Sequence, residues 1–218
     1  MGLTKVNLLM QPTDLSVVAV GNTASAKFPL VLIIGRESNG SARLIPGLSL
    51  YDETVSSRST FWNRAYGFVQ RAVLWRGPLR ATCVRLGVSP ILFSNALPQP
   101  IPNSTQNKDA YRVAIDEEDI RIHIQEIFRL PIAERIRMVI FSTGNKQVFS
   151  LPKAEILLSC RERGIQFLEV PYFGTQGLSN AALDEAIDER SLNTLKAIVD
   201  EFNAYAQQQV ELDGSVAR

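Results

Sequence analysis

The stretch Val31-Leu32-Ile33-Ile34-Gly35-Arg36-Glu37-Ser38-Asn39-Gly40 decides the fold. An aliphatic, largely β-branched run stops at a glycine, and polar residues follow at once. An unbroken apolar run bounded by turn residues suits a strand buried on both faces of a parallel sheet, not the alternation of a half-exposed strand. In open α/β sheets, ligands sit just past the carboxyl ends of such strands. Arg36, Glu37 and Asn39 therefore fall where a strand delivers polar groups into a crevice. The plain alternative is a strand-to-loop exit with solvated side chains, in which a surface Glu37–Arg36 pair adds little to stability.

Three more stretches repeat the pattern. Pro90–Ser94 reads as a second strand, with Asn95 directly after it; Arg137–Ser142 as a third, ending at Thr143-Gly144-Asn145; and Ile165–Val170 as a fourth, ending in the loop 171–180. Helices fill the intervals. Thr60–Trp75 carries Phe61, Ala65, Phe68, Ala72 and Trp75 at helical spacing, with Ser57 or Ser59 as cap and Gly77-Pro78 as stop. A shorter helix covers Leu79–Leu86. Asp116–Leu130 fits either period, and its capping Asp116 and acidic first turn favour helix. His123 lies in that helix and reads as a packed or surface residue. A further helix, interrupted near Pro152, runs to about Arg163, and a last long one covers roughly Ala181–Gln207. Residues 36–58 form a long Gly/Ser/Pro/Asn-rich loop of the kind that is often functional, and 96–115 an irregular insertion. Val17–Val20 reads as a short strand or part of an N-terminal extension. The expected fold is an α/β three-layer sandwich: a central four-stranded parallel sheet flanked by helices. It forms one domain over residues 1–218, with 1–28 as extension and 208–218 as tail.

The 218 residues, 45% of them hydrophobic, suffice for a substantial core. Neither a membrane-length apolar run nor a secretory signal is visible. Only Cys83 and Cys160 are present, too few for a disulfide framework or a four-cysteine metal site, and the one histidine rules out mechanisms that need two. The expectation is a cytoplasmic monomer without metal, cofactor or membrane contact. Net charge is +1, but its distribution is uneven. Thr54 to Asn107 contains no acid, yet it holds Arg58, Arg64, Arg71, Arg76, Arg80 and Arg85, whereas the C-terminal part is acidic. That asymmetry suits a basic face for a polyanion; arginine stems packed on a core are the plain alternative.

The four strand-end loops, taken in order, resemble those of the uracil-DNA glycosylase superfamily, including its mismatch-specific branch, over roughly residues 28–207. The resemblance implies a water-activating role for Glu37, a departure from that family's usual Asp or Asn, with Asn39 as a second candidate. Ser59–Tyr66 looks like the Phe-Trp helix of the mismatch-specific branch. By the same resemblance Tyr51 stacks on an extruded base, Asn95 reads it, and Gly177-Leu178-Ser179-Asn180 matches the end of the family's last motif, with Leu178 as the wedge in the duplex. Arg36, Ser38 and Arg64 would hold the DNA backbone. The family's motif histidine or asparagine would fall near Gly174, where this chain has neither.

A glycosylase takes its base out of the stack before reaching the glycosidic bond. A carboxylate then stabilises the oxocarbenium-like sugar and orients or deprotonates water. Without a lysine in a motif position, the expectation is simple hydrolysis that leaves an abasic site. Strict uracil enzymes block 5-substituted pyrimidines with a tyrosine where this chain has Asn39 followed by Gly40. The opened wall points to a larger 5-substituent, such as a glucosylated hydroxymethylcytosine of phage DNA removed in defence. Two other readings stay open: a uracil or mismatch repair enzyme, and a binder that kept the fold without the chemistry.

Overall fold

The structure, a computed structural model, describes residues 23, 26–36, 60–99, 101 and 105–216. The expected strand at Val17–Val20, the Ser57 or Ser59 cap, and Glu37, Ser38, Asn39, Gly40 and Tyr51 lie outside the described residues.

Four strands form one parallel sheet: β1 (Leu30–Gly35), β2 (Ile91–Asn95), β3 (Ile136–Phe141) and β4 (Gln166–Glu169), in the order β2-β1-β3-β4. All six residues of β1 are buried, as a central strand covered on both faces requires. Among the described residues there are seven α-helices: α1 (Thr60–Ala72), α2 (Leu79–Leu86), α3 (Lys108–Val113), α4 (Glu117–Arg129), α5 (Ser150–Arg163), α6 (Asn180–Asp184) and α7 (Glu189–Val216). They make the outer layers of a three-layer α/β sandwich. On one side α7 packs on β1, β3 and β4 and against α1; on the other α4 pairs with α5. Leu195, Ile198, Val199 and Phe202 form the buried stripe of α7, and Phe202 meets Phe28 edge-on at 5.3 Å between ring centroids.

Several element boundaries differ from the sequence expectation for local reasons. α1 stops at Ala72 because the chain turns through Leu74 at φ +53°, with the Trp75 N–H donating to the Gln70 carbonyl and the Leu74 N–H to Arg71. These are the paired bonds of a Schellman cap, built on a leucine where glycine is usual. Pro152 does not interrupt a helix: it lies in the first turn of α5, where its missing N–H costs nothing. The insertion 96–115 contains α3, capped by the Asn107 side chain, which accepts from the Ala110 N–H. The expected Ala181–Gln207 helix is two helices. Ser179 caps the short α6, and Asp188 accepts from the Ser191 N–H at 2.7 Å to start α7. α7 then runs through most of the expected tail, to Val216.

Candidate functional site

All four strands end on the same side of the sheet. The β1-to-β2 and β3-to-β4 connections diverge from the centre, so the topological switch point lies between β1 and β3. Arg36 leaves β1 at that point.

At the β1–β2 end, Gly35 is in register with Asn95. The ladder continues past both strands: the Ala96 N–H donates to the Gly35 carbonyl at 2.8 Å and the Leu97 N–H to the Arg36 carbonyl at 3.1 Å. The glycine lets Phe61 approach closely: a Cβ there would stand 3.0 Å from the ring, which would have to give by a few tenths of an ångström. Phe93 precedes Asn95 by two residues and so shares its face of the strand. On that face Trp62 stacks on Phe93, with ring centroids 4.6 Å apart and planes within 4°. Asn95 is half-buried, and among the described residues its side-chain amide makes no hydrogen bond. Its backbone carbonyl accepts from His123 Nε2 at 2.9 Å. His123 is wholly buried, and burial pushes its pKa down to about 4. A carbonyl only accepts, so Nε2 carries the proton of a neutral ring.

The β3–β4 end is tied together by its own side chains. Ser142 Oγ donates to the Pro171 carbonyl at 3.0 Å and accepts from the Phe173 N–H at 2.9 Å. Arg36 reaches across the switch point: its Nε donates to the Thr143 carbonyl at 2.6 Å, and its guanidinium lies 3.8 Å from the Tyr172 ring centroid. Such a stack is a cation–π contact. One face of α1 completes the cluster. Phe61 packs against Tyr172 and Phe173, Phe68 against Phe173, and Arg64 donates to the carbonyls of Phe173 and Thr175. Gly174 leaves room for the Tyr172 ring, which would stand 2.5 Å from any Cβ at that position. No imidazole therefore fits at residue 174 with Tyr172 in place.

The remaining proposed contacts lie on the next turn of chain. Gly177, Ser179 and Asn180 are exposed, while Leu178 is half-buried against the core. Ser179 Oγ accepts from the Ala182 N–H and so serves as a helix cap. The structure thus brings Arg36 and Asn95 to adjacent strand ends, and gives Arg36 and Arg64 intramolecular partners. Of the other arginines, Arg71 pairs with Asp184 at 3.2 Å and Arg80 donates to Asn63, while Arg76 and Arg85 are exposed. A cavity of about 330 Å³ opens beside Gly144, with Lys146 and Lys153 on its wall, held by Asp109 and Glu169 respectively.

Sequence reasoning gave no role to Tyr172; it read His123 as a packed or surface residue, and the structure packs it, but its bond to the Asn95 carbonyl was not foreseen. Tyr172 directly follows the strand-ending Pro171, and His123 falls on the same helical stripe as Ile120, Ile124 and Ile127; each position was a usable signal. Cys83 and Cys160 are buried free thiols whose pKa values burial pushes up to about 12, so neither is a nucleophile near neutral pH. Among the described residues, no cluster of three or more His, Cys, Asp or Glu is placed to hold a metal ion, and no helix is long and apolar enough to cross a membrane. Compared with known proteins, the chain matches no family model and no curated sequence.

Proposed function

We propose that the chain is a DNA glycosylase of the uracil-DNA glycosylase type, acting as a cytoplasmic monomer on double-stranded DNA. It flips out a modified pyrimidine and hydrolyses its glycosidic bond, leaving an abasic site. The observation that supports this reading best is the register of Gly35 with Asn95. It sets the start of the Glu37 loop beside an amide that makes no hydrogen bond among the described residues, at the carboxyl end of a parallel sheet.

In this reading Glu37 orients water toward the sugar and stabilises its developing positive charge, with Asn39 as the second candidate for placing the water. Asn95 reads the base, Tyr51 stacks on it, and Gly40 leaves room beside it. The exposed turn Gly177–Asn180 meets the duplex, with Leu178 as the wedge. Arg36 and Arg64 hold the strand-end loops, while Ser38 contacts the backbone. The substrate is a 5-substituted cytosine, with glucosylated hydroxymethylcytosine as the specific proposal.

The test is a panel of uracil-containing, hydroxymethylated and glucosylated phage DNA, each probed for abasic sites. Sites in the glucosylated DNA are expected. Strong uracil release with none from phage DNA would replace the substrate by that of a repair enzyme. Retained DNA binding without any abasic site would leave a non-catalytic binder.

A further inference from the structure

We infer that His123 is a positioning residue for Asn95: it holds the last carbonyl of β2 and so fixes where the Asn95 side chain stands beside Gly35. Three observations lead there. β2 is an edge strand. Its Ala96 N–H pairs with β1, so by alternation the Asn95 carbonyl points to the outer edge, away from the ladder. Among the described residues, the partner it finds there is the His123 ring, at 2.9 Å.

Packing alone does not explain a histidine at this place. The ring is wholly buried in an apolar stripe with Ile120, Ile124 and Ile127, and its Nδ1 has no hydrogen-bond partner. A leucine would fill the space without stranding Nδ1, but it would leave the Asn95 carbonyl without the donor it has here. The hydrogen bond that the imidazole does make goes to Asn95. Ser94 Oγ, one residue back, is also buried and unpaired. The end of β2 therefore carries polar groups that the core itself does not use.

A backbone anchor matters here because an asparagine amide recognises a base only when its Cα is held in place. Small misplacements of a contacting group are costly in the transition state. The base-contact part of this inference rests on the glycosylase reading; the anchoring of Asn95 does not.

The test uses the full chain with His123→Leu and His123→Gln, the glutamine offering an amide N–H near the position of Nε2. In the free protein, nitrogen NMR of the single histidine should show the neutral Nε2–H tautomer. His123→Leu should move the Asn95 side-chain and Ala96 amide signals, and His123→Gln should bring them back. On the DNA that the substrate panel identifies, His123→Leu should bind within about twofold of wild type but turn over at least about tenfold more slowly in single-turnover assays, with His123→Gln recovering most of the rate. An Nδ1–H tautomer, or Asn95 signals unmoved in His123→Leu, would overturn the anchoring whether or not any DNA is cleaved. Moved signals with wild-type turnover would overturn its role in catalysis. Absence of cleavage by wild-type protein, with the tautomer and shifts as expected, would count against the glycosylase reading alone.

Discussion

The two halves of the carboxyl end are built differently. At the β3–β4 half, side chains are spent on holding the loops: Ser142 bonds both Pro171 and Phe173, Arg36 spans to Thr143 and stacks on Tyr172, and Arg64 gathers two carbonyls. At the β1–β2 half the backbone ladder does the holding, with one histidine behind it, and the Asn95 amide is left to act. A group meant to bind a ligand belongs on the half whose side chains are not already committed. By that contrast Tyr172, Phe173, Arg64 and Arg36 are engaged within the fold, whereas the Asn95 amide is uncommitted among the described residues, as its proposed base-reading role requires.

The contrast breaks most visibly in stability. Phe173 is fully buried, and it meets Phe61 and Phe68. Phe173→Ala should lower the unfolding free energy by about 3–5 kcal/mol, read from urea denaturation. A loss under about 1 kcal/mol would mean that the β3–β4 loops are not tied as described.

The histidine behind β2 should show itself with pH. Its pKa falls from 6.5 to about 4 on folding, so the unfolded chain binds the proton first. Its contribution is fully present above about pH 6.5 and is lost as pH falls toward 4. From pH 7 to pH 4 this amounts to about 3 kcal/mol. The same titration of His123→Leu should be shallower by about that amount, and parallel curves would remove the burial from the argument. Gly174→Ala, which drives a methyl against the Tyr172 ring, should cost about 1–3 kcal/mol. Asn95→Ala should change stability by less than about 0.5 kcal/mol, because the amide makes no hydrogen bond among the described residues. Turnover on the preferred DNA should nevertheless fall at least about tenfold. A large stability loss instead would assign Asn95 to the scaffold.

The sheet was legible in the sequence because its strands are unbroken apolar runs ended by turn residues; β1 needs no tertiary information to be read. Helix starts were legible where a cap precedes a periodic stripe, as at Asp116, whose side chain accepts from the Glu118 N–H. The break before α7 was not, because Asp188 sits in an acidic, helix-favouring run that hides its capping role. The site was partly legible. Strand-end positions anticipated that Asn95 and Arg36 stand at adjacent strand ends, since topology alone brings such residues together. Partner choice was not, because Arg36 and Thr143 stand 107 residues apart in the chain, and only the folded sheet decides that a guanidinium lies on Tyr172. The basic face suffered the same way: charge counts do not reveal that Arg64 and Arg71 are engaged by carbonyls and by Asp184.

The most direct test of the proposed chemistry compares wild type with Glu37→Gln on DNA carrying glucosylated hydroxymethylcytosine, measuring abasic sites in single turnover and binding in parallel. Wild type should release the base. Glu37→Gln should bind the same DNA equally well and cleave it at least about a hundredfold more slowly. Near-wild-type turnover by the variant, or no abasic sites from the wild-type protein, would contradict it.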